Sequence, residues 1–271
     1  MWVYLCLISG IVLCTDERKT MIYNDQFMKK QGLFKAVDKQ GVPVTIEWYR
    51  DGMFAQATID TMAKMWECAR QAYVPIELDF LKAFPEVVGA EPYYKPFELL
   101  FAQGTDNVDW QEASTVMEGM LKKHFVIDLS KIPASIVTHY QHDQSIIVTI
   151  KDANSQQQLG FMTFMIRAEY PVGHVKAIAA AVLPSAQGRG LGKLMMSALF
   201  NIVPHVELIF LSTRVTNTSA LRAYEAWGFV RSDTPIQDPQ HMFNPKHWVF
   251  MHYDATSHDI LQKLAATVVA A

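Results

Sequence analysis

The residues best suited to chemistry in this sequence form a short glycine-rich run. The run reads Gln187-Gly188-Arg189-Gly190-Leu191-Gly192-Lys193. It follows the mostly apolar residues 174–183, which predict a buried strand, and precedes apolar residues at helical spacing. The start of a helix leaves backbone N–H groups unpaired, and these donors attract an anion together with the helix dipole. The glycines permit close approach and Arg189 and Lys193 add charge, so the run predicts a phosphate site.

Two other phosphate-binding patterns fit the run less well. A nucleotide P-loop has four residues between its first glycine and the final Gly-Lys-Ser/Thr. Gly188 to Gly192 is one residue too short, and Leu194 stands in place of the hydroxyl residue. A dinucleotide fingerprint needs a third glycine where Lys193 stands. An ordinary glycine-rich turn between a strand and a helix is the remaining alternative.

A second motif lies further along the chain and begins at Asn217. Residues 206–215 predict another strand. Asn217 is a favourable N-cap for a helix over residues 218–227, and Gly228 is a favourable stop after it. Tyr224 lies on the apolar face of this helix, where the alternative to a chemical role is simple packing in the core.

Together the two motifs resemble those of the GNAT superfamily of N-acetyltransferases. Gln187, Gly190 and Gly192 match its Q/R-x-x-G-x-G/A pattern, and Asn217 and Tyr224 follow at the expected distance. The resemblance covers roughly residues 140–255. It implies an α/β fold with a mixed, mostly antiparallel sheet that is splayed at the cofactor site and flanked by helices. It also implies acetyl-CoA as the co-substrate and an amine as the acceptor.

The resemblance implies roles for individual residues. The pantetheine arm of coenzyme A would lie against Ala180, Ala181 and Val182, and a backbone N–H near Val182 would point at the thioester oxygen. Asn217 would touch the cofactor, and Tyr224 would protonate the leaving thiolate. The pyrophosphate would be held by the glycine-rich run, namely Gln187, Gly188, Arg189, Gly190, Leu191, Gly192 and Lys193.

The base that deprotonates the amine is the part of the family pattern that this chain does not match. Several family members carry a glutamate on the strand before the glycine-rich run, and the corresponding residue here is Lys176. His174 lies two residues earlier on the same face of the predicted strand, and its imidazole titrates near neutrality. Glu207 and deprotonation relayed by water are the other possibilities.

The composition is that of a folded protein whose main partner is not a nucleic acid. Half of the 271 residues are hydrophobic, 19% are charged, and the formal net charge is −3. These values favour a sizeable core over disorder and argue against nucleic-acid binding. The three cysteines and nine histidines show no spacing typical of a disulfide framework or a metal site, so we expect no metal and a reduced, cytoplasmic location.

The periodicity predicts the order β-α-α-β-β-β-α-β-α-β without a repeat or linker. Strands are predicted near 43–49, 145–151, 159–167, 174–183, 206–215 and 247–253, and helices near 57–72, 110–124, 218–227 and 257–268, besides the helix after the glycine-rich run. We expect an N-terminal extension over residues 1–42 that packs on an acyltransferase domain over 43–271. Residues 74–108, interrupted by four prolines, are predicted to be an insertion near the acceptor side.

The sequence therefore favours an acyl-CoA-dependent N-acetyltransferase that works by direct attack of a primary amine on the thioester. The alternative is a non-catalytic acyl-CoA-binding sensor domain. The acceptor and the oligomeric state stay open. The apolar residues 1–14 are too short to span a bilayer as a helix, so no stable membrane span is expected, with secretion as a minority alternative.

Overall fold

The chain forms one nine-stranded sheet with helices on both faces. The computed structural model describes residues 30–232 and 246–271. In these ranges the strands are β1 Gln31–Val37, β2 Pro43–Gly52, β3 Gln144–Asp152, β4 Gln158–Ile166, β5 His174–Val182, β6 Leu208–Arg214, β7 Val230–Ser232, β8 Trp248–Asp254 and β9 Val269–Ala270. Their spatial order is β7-β8-β6-β5-β4-β3-β2-β1-β9. Neighbouring strands are antiparallel except for β5 and β6, which are parallel.

The helices fall into two groups on either side of the sheet. The described α-helices are α1 Gln56–Lys64, α2 Trp66–Ala83, α3 Val87–Ala90, α4 Glu98–Phe101, α5 Trp110–Phe125, α6 Ala134–His139, α7 Leu191–Ile202, α8 Thr218–Ala226 and α9 Ile260–Ala265. The apolar faces of α7 and α9 bury the larger core against one face of the sheet. On the other face α2 and α5 pack together and contact β3, β4 and β5 through a smaller core that includes Met65, Phe125 and Phe161.

The central strands are apolar on both sides because helices cover both faces. Along β3, Ile146, Val148 and Ile150 point into the larger core, while Ile147 points into the smaller one. A strand in this position reads as a continuous apolar run, since successive side chains alternate between two buried faces. The mixed, mostly antiparallel sheet predicted from the sequence is confirmed.

The element order departs from the prediction in several places. The predicted helix near 57–72 is two helices, α1 and α2, and the short elements α3, α4, α6, β7 and β9 were not predicted. The described sheet begins earlier than residue 43, because Gln31–Val37 pairs with β2 along its whole length. Helix α2 does not end near residue 72 but continues through Pro75 to Ala83. The burial of Phe80 and Leu81 against α5 outweighs the hydrogen bond that Pro75 cannot donate. Residues 1–29 lie outside the described ranges, so the packing of an N-terminal extension stays a prediction.

A buried ion pair joins the helical group to the sheet. Arg214, at the end of β6, donates from Nε and Nη2 to the two carboxylate oxygens of Glu77 on α2, at 3.1 and 3.0 Å. Its guanidinium lies between the rings of Phe80 and Trp248, at 3.9 and 3.8 Å from their centroids. The Tyr94 hydroxyl hydrogen-bonds both Glu77 and Arg214. This cluster fixes the second half of α2 over the end of β6.

The described residues contain neither a membrane-spanning helix nor a cluster of metal-binding side chains. Within residues 30–232 and 246–271, no helix has both the length and the apolar character needed to cross a membrane. The same ranges contain no group of three or more His, Cys, Asp or Glu side chains arranged to hold a metal ion.

The buried pair predicts a large stability difference between two carboxylates of the same helix. Glu77→Ala leaves the Arg214 charge buried without its partner, and we expect the free energy of unfolding to fall by about 3–5 kcal/mol. Asp79→Ala is the matched control, because Asp79 pairs with Lys82 at 3.4 Å in an exposed position and such pairs contribute little. Urea denaturation of both variants tests this; equal losses would contradict it.

Candidate functional site

The site is a gap in the sheet between β5 and β6. The two parallel strands pair at only three positions, from His174 with Leu208 to Lys176 with Phe210. Beyond these pairs they separate. The pairing of β5 with β4 shifts register between Thr163 and Phe164, an irregularity that bends β5 at this point. The splayed sheet implied by the resemblance is therefore present, with the gap-facing backbone of β5 left without a neighbouring strand.

A cavity of about 150 Å³ occupies this gap. Its walls are the separated stretches 177–180 of β5 and 211–214 of β6. From the helices it is lined by Tyr73, Glu77, His124, Asn217 and Tyr224, among others. A space of this size holds a group of a few atoms, well below the volume typical of pockets that enclose a whole drug-sized ligand.

Inside the cavity, the Tyr73 side chain contacts the gap-facing edge of β5. Its hydroxyl accepts a hydrogen bond from the Ala180 N–H at 2.6 Å and donates one to the Ala180 carbonyl oxygen at 2.8 Å. The resemblance implied that the backbone of Ala180 would be open to the arm of the cofactor, and in this structure a side chain holds both of its polar groups. Neither Ala181 nor Val182 lines the cavity.

Tyr224 lies on the other side of the gap, on α8. Its ring packs edge-on against the Trp227 ring, with the ring centroids 5.3 Å apart. It also packs at a tilt against the Phe229 ring, with the centroids 5.5 Å apart. Burial raises the pKa of Tyr224 to about 12. Within the described ranges no hydrogen bond engages its hydroxyl. A protonated phenol that faces a cavity in this way is suited to donating a proton at neutral pH.

The glycine-rich run forms an anion cradle at the start of α7. Gly188 and Gly190 have φ angles of 77° and 80°, which favour glycine, and Gly190 is the N-cap residue. The first N–H of this helix with a partner is that of Leu194, which donates to the Gly190 carbonyl oxygen. In the part of the chain that is described, no acceptor pairs with the N–H groups of residues 188–193. Six successive donors at a helix N-terminus suit a phosphate or pyrophosphate.

Gly192 has a packing role in addition. A Cβ atom at this position would lie 2.9 Å from the Trp227 ring, closer than real contacts allow. The absence of a side chain at Gly192 therefore leaves room for the Trp227 ring, which in turn packs against Tyr224.

Arg189 is not directed at a phosphate in this structure. Its Nε donates to Asp38 at 2.6 Å, in the turn between β1 and β2. Burial alone would raise the pKa of Asp38, but the hydrogen bonds from Val42 N–H, Arg189 and Gln40 N–H outweigh it and hold the pKa below the usual value. Arg189 therefore fixes the β1–β2 turn beside the cradle.

The other predicted cofactor-binding residues lie near the cradle or the gap. The Gln187 amide donates to the Val182 carbonyl at 3.4 Å, across the turn that leads into the cradle. Lys193 is half-buried in the first turn of α7. Asn217 lines the cavity, where its side chain caps α8 through Ala220 N–H and donates to the Thr213 hydroxyl.

The structure does not bring His174 to the cavity. His174 begins β5, three residues before Ala177, the first residue of β5 that lines the cavity, a separation of about 10 Å along a strand. It is not among the cavity-lining residues, and neither are Lys176 and Glu207. A direct role for His174 in deprotonating an amine in this gap is therefore not supported by the geometry.

Sequence reasoning missed the polar residues that the helical group contributes. Tyr73 and Glu77 come from α2, and His124 comes from the last turn of α5. Burial lowers the pKa of His124 to about 4, so its imidazole is neutral at pH 7. The only sequence signal was that Tyr73 and Glu77 are four residues apart and so share a helix face, which requires a helix that continues past Pro75.

Comparisons with known proteins support one family. Residues 115–229 match the model of the Acetyltransferase (GNAT) family. No curated protein matches the chain.

Solved acetyltransferase structures are similar to parts of the chain. A ribosomal-protein-S18-alanine N-acetyltransferase from Escherichia coli is 19% identical over 40% of this chain and 67% of that one, with a TM-score of 0.31. A streptothricin acetyltransferase of Bacillus anthracis with bound acetyl coenzyme A is 17% identical over 41% of this chain and 62% of that one, with a TM-score of 0.33. PaiA N-acetyltransferase of Thermoplasma acidophilum with coenzyme A is 12% identical over 76% of this chain and 98% of that one, with a TM-score of 0.41.

The chain thus spans about two thirds of the length of the first two of these proteins. The likeness to the Acetyltransferase (GNAT) family is carried by residues 115–229 and the motifs within them.

Proposed function

We propose that the chain transfers an acetyl group from acetyl-CoA to a primary amine, since residues 115–229 match the model of the Acetyltransferase (GNAT) family. One observation carries the proposal. The unpaired N–H groups of residues 188–193 follow soon after β5, and the unpaired edge of β5 borders the gap. Phosphates held in the cradle would leave the attached arm to run along β5 into the cavity.

The residues present fit coenzyme A at both ends. The N–H groups of the cradle offer hydrogen bonds and the positive end of the α7 dipole to a pyrophosphate. Lys39 lies beside the cradle. A Cβ atom added at Gly190 would be 3.4 Å from the Cβ atom of Lys39. At the other end, a cavity of about 150 Å³ has room for a short acyl group such as acetyl.

The chemistry proposed for the gap needs few groups from the protein. Acetyl-CoA supplies the thioester carbonyl carbon, which the amine nitrogen attacks. A backbone N–H on the gap-facing edge of β5 donates to the carbonyl oxygen as negative charge develops there. Tyr224 then gives its proton to the leaving thiolate as the C–S bond breaks, and water that later returns a proton to Tyr224 closes the cycle.

The amine must lose a proton before or during the attack, and the cavity wall provides a candidate acceptor. The neutral imidazole of His124 lines the same cavity as Tyr224, and burial, which lowers its pKa to about 4, also makes it a weak base. Glu77 is engaged by Arg214 through both carboxylate oxygens, which leaves it less suited to the task. We therefore place the acceptor amine on the side of the gap that faces α2 and α5, with transfer of its proton to His124 or to water.

Calorimetry followed by a thiol assay tests the proposal. Acetyl-CoA is titrated into the purified protein, and a panel of amines is then added while free thiol is measured. The panel contains polyamines, amino acids, lysine peptides and peptides with a free N-terminus. Thiol release with one amine class supports the transferase and identifies the acceptor. Binding without thiol release from any amine would favour the sensor domain instead, and no binding would refute the assignment of the gap and the cradle.

The cradle predicts the effect of a charged side chain at Gly190. Gly190→Glu puts a carboxylate at the helix start where the phosphates are expected, and we expect acetyl-CoA binding to become undetectable by calorimetry. Gly104→Glu is the matched control, because Gly104 also has a positive φ, of 88°, and a Cβ there meets no atom within 4 Å. Backbone strain of about 1–2 kcal/mol is expected at Gly190, where ψ is 6°. Gly104→Glu is a stringent control for it, because the ψ of 157° at Gly104 belongs to a region that is almost restricted to glycine. Retained binding in Gly190→Glu would remove the cradle from the cofactor site.

The position of Tyr224 predicts a change in turnover without a change in affinity. Tyr224→Phe keeps the ring contacts with Trp227 and Phe229 and removes the proton, so kcat should fall at least tenfold while the Kd for acetyl-CoA stays within twofold. Since the pKa of Tyr224 is raised to about 12, its ionisation should not reduce wild-type kcat between pH 6 and 10. A decline in kcat over that range, or unchanged turnover in the variant, would show that another group is the acid.

A further inference from the structure

Tyr73 takes part in the gap in a way that the family assignment does not explain. We propose that Tyr73 stands in for the thioester-bearing arm of acyl-CoA on β5, and that the cofactor binds by displacing the Tyr73 hydroxyl from Ala180. Tyr73 therefore lowers the affinity of the protein for the cofactor. The inference rests on the proposed function, because it concerns the same gap.

The hydrogen-bonding pattern at Ala180 is that of a strand edge with a substitute partner. The N–H and carbonyl of one residue point to the same side of a strand, where a neighbouring strand normally supplies one acceptor and one donor. A phenol hydroxyl carries both capacities in one group. Tyr73 uses both, at 2.6 Å to the N–H and 2.8 Å to the carbonyl oxygen of Ala180. The arm of acyl-CoA also carries both, since it has carbonyl oxygens and amide N–H groups.

The two occupants exclude each other. An N–H group donates one good hydrogen bond, so the Ala180 N–H cannot serve Tyr73 and the cofactor together. The volume of the cavity leads to the same conclusion. The cavity of about 150 Å³ is measured with the Tyr73 side chain in its wall, and an extended arm with two amides needs more room along β5 than this. The hydroxyl must leave Ala180 before the arm can lie there.

Helix α2 carries a feature that allows this movement. Pro75 lies two residues after Tyr73 in the interior of the helix and has no N–H, so the Gln71 carbonyl receives no helical hydrogen bond from it. The next part of the helix is fixed by the contact of Glu77 with Arg214. The turn that carries Tyr73 is therefore separated by a weak point from the turn that is anchored to the sheet.

The test compares two tyrosine variants and two ligands. Tyr73→Phe removes the hydroxyl and keeps the ring, and Tyr93→Phe is the matched control, since Tyr93 belongs to the same helical group and does not line the cavity. Acetyl-CoA carries the arm. Adenosine 3′,5′-bisphosphate carries phosphates without the arm. Calorimetry gives Kd for each of the four combinations and for the wild type.

The expected result is specific to one variant and one ligand. Tyr73→Phe should bind acetyl-CoA about tenfold more tightly than wild type, because it no longer loses the hydrogen bonds of Tyr73 on binding. Its Kd for adenosine 3′,5′-bisphosphate should not change, and Tyr93→Phe should match the wild type with both ligands. A purely structural role of Tyr73 would lower the melting temperature without tightening the binding of acetyl-CoA.

Other outcomes overturn the inference. Unchanged or weaker binding of acetyl-CoA by Tyr73→Phe, while the wild type binds, refutes it and leaves the proposed function intact. Equal tightening of both ligands also refutes it, because the effect would not involve the arm. Absence of acetyl-CoA binding by wild type and variant refutes the proposed function as well. If Tyr73→Phe does not fold, Tyr73→Met, which also lacks a hydroxyl and retains an apolar side chain, gives the same comparison.

Discussion

The separation of β5 from β6 after three residue pairs is the constraint on which the rest of the site depends. A strand in the middle of a sheet normally has both edges paired, and here one edge of β5 loses its partner inside the fold. Buried backbone groups without partners cost about 1–3 kcal/mol each. The register irregularity opposite Thr163 and Phe164 lies directly beyond the last of these pairs, and the surrounding helices determine what fills the gap.

The helical group formed by α2 and α5 covers one side of the gap. Without it the gap-facing edge of β5 would be open to water on that side. Glu77 and Arg214 tie α2 to the end of β6 through two hydrogen bonds, and Arg214 is flanked by two aromatic rings. Removing either charge alone would leave the other one buried without its partner, which is costly. The same helix therefore holds an anchor and, one turn earlier, the group that contacts Ala180.

How far the sequence predicts this molecule depends on the range of the interactions involved. The glycine-rich run, the cap at Asn217 and the central strands were predictable, because each is determined by neighbours in the sequence. Helix α2 was predicted too short because Pro75 is a local signal against a helix, whereas the burial of Phe80 and Leu81 that sustains it is tertiary. The partnership of Arg189 with Asp38 joins residues 151 positions apart, and that of Tyr73 with Ala180 joins residues 107 apart. No spacing rule reaches over such distances.

The distance of His174 from the cavity has a related origin. His174 lies about 10 Å along β5 from Ala177, the first residue of this strand that lines the cavity, so the face shared in the sequence pattern did not mean a place in the cavity wall. His124 lies on α5, which is separated from β5 in the sequence by β3 and β4. Its imidazole is neutral because it is buried, and only the packed structure reveals that burial.

The two halves of the site treat unpaired backbone groups differently, and solvent explains the difference. At the cradle, Gly188 is exposed and Arg189 and Gly190 are half-buried, so water can satisfy their N–H groups until an anion replaces it. At Ala180 the edge of β5 faces a small, mostly apolar cavity, where water has few other partners and a protein group must satisfy the strand. A hydroxyl is the smallest side-chain group that offers a donor and an acceptor together. Tyr73 thus meets the same physical requirement that a bound arm would meet, which is why the two compete for one residue.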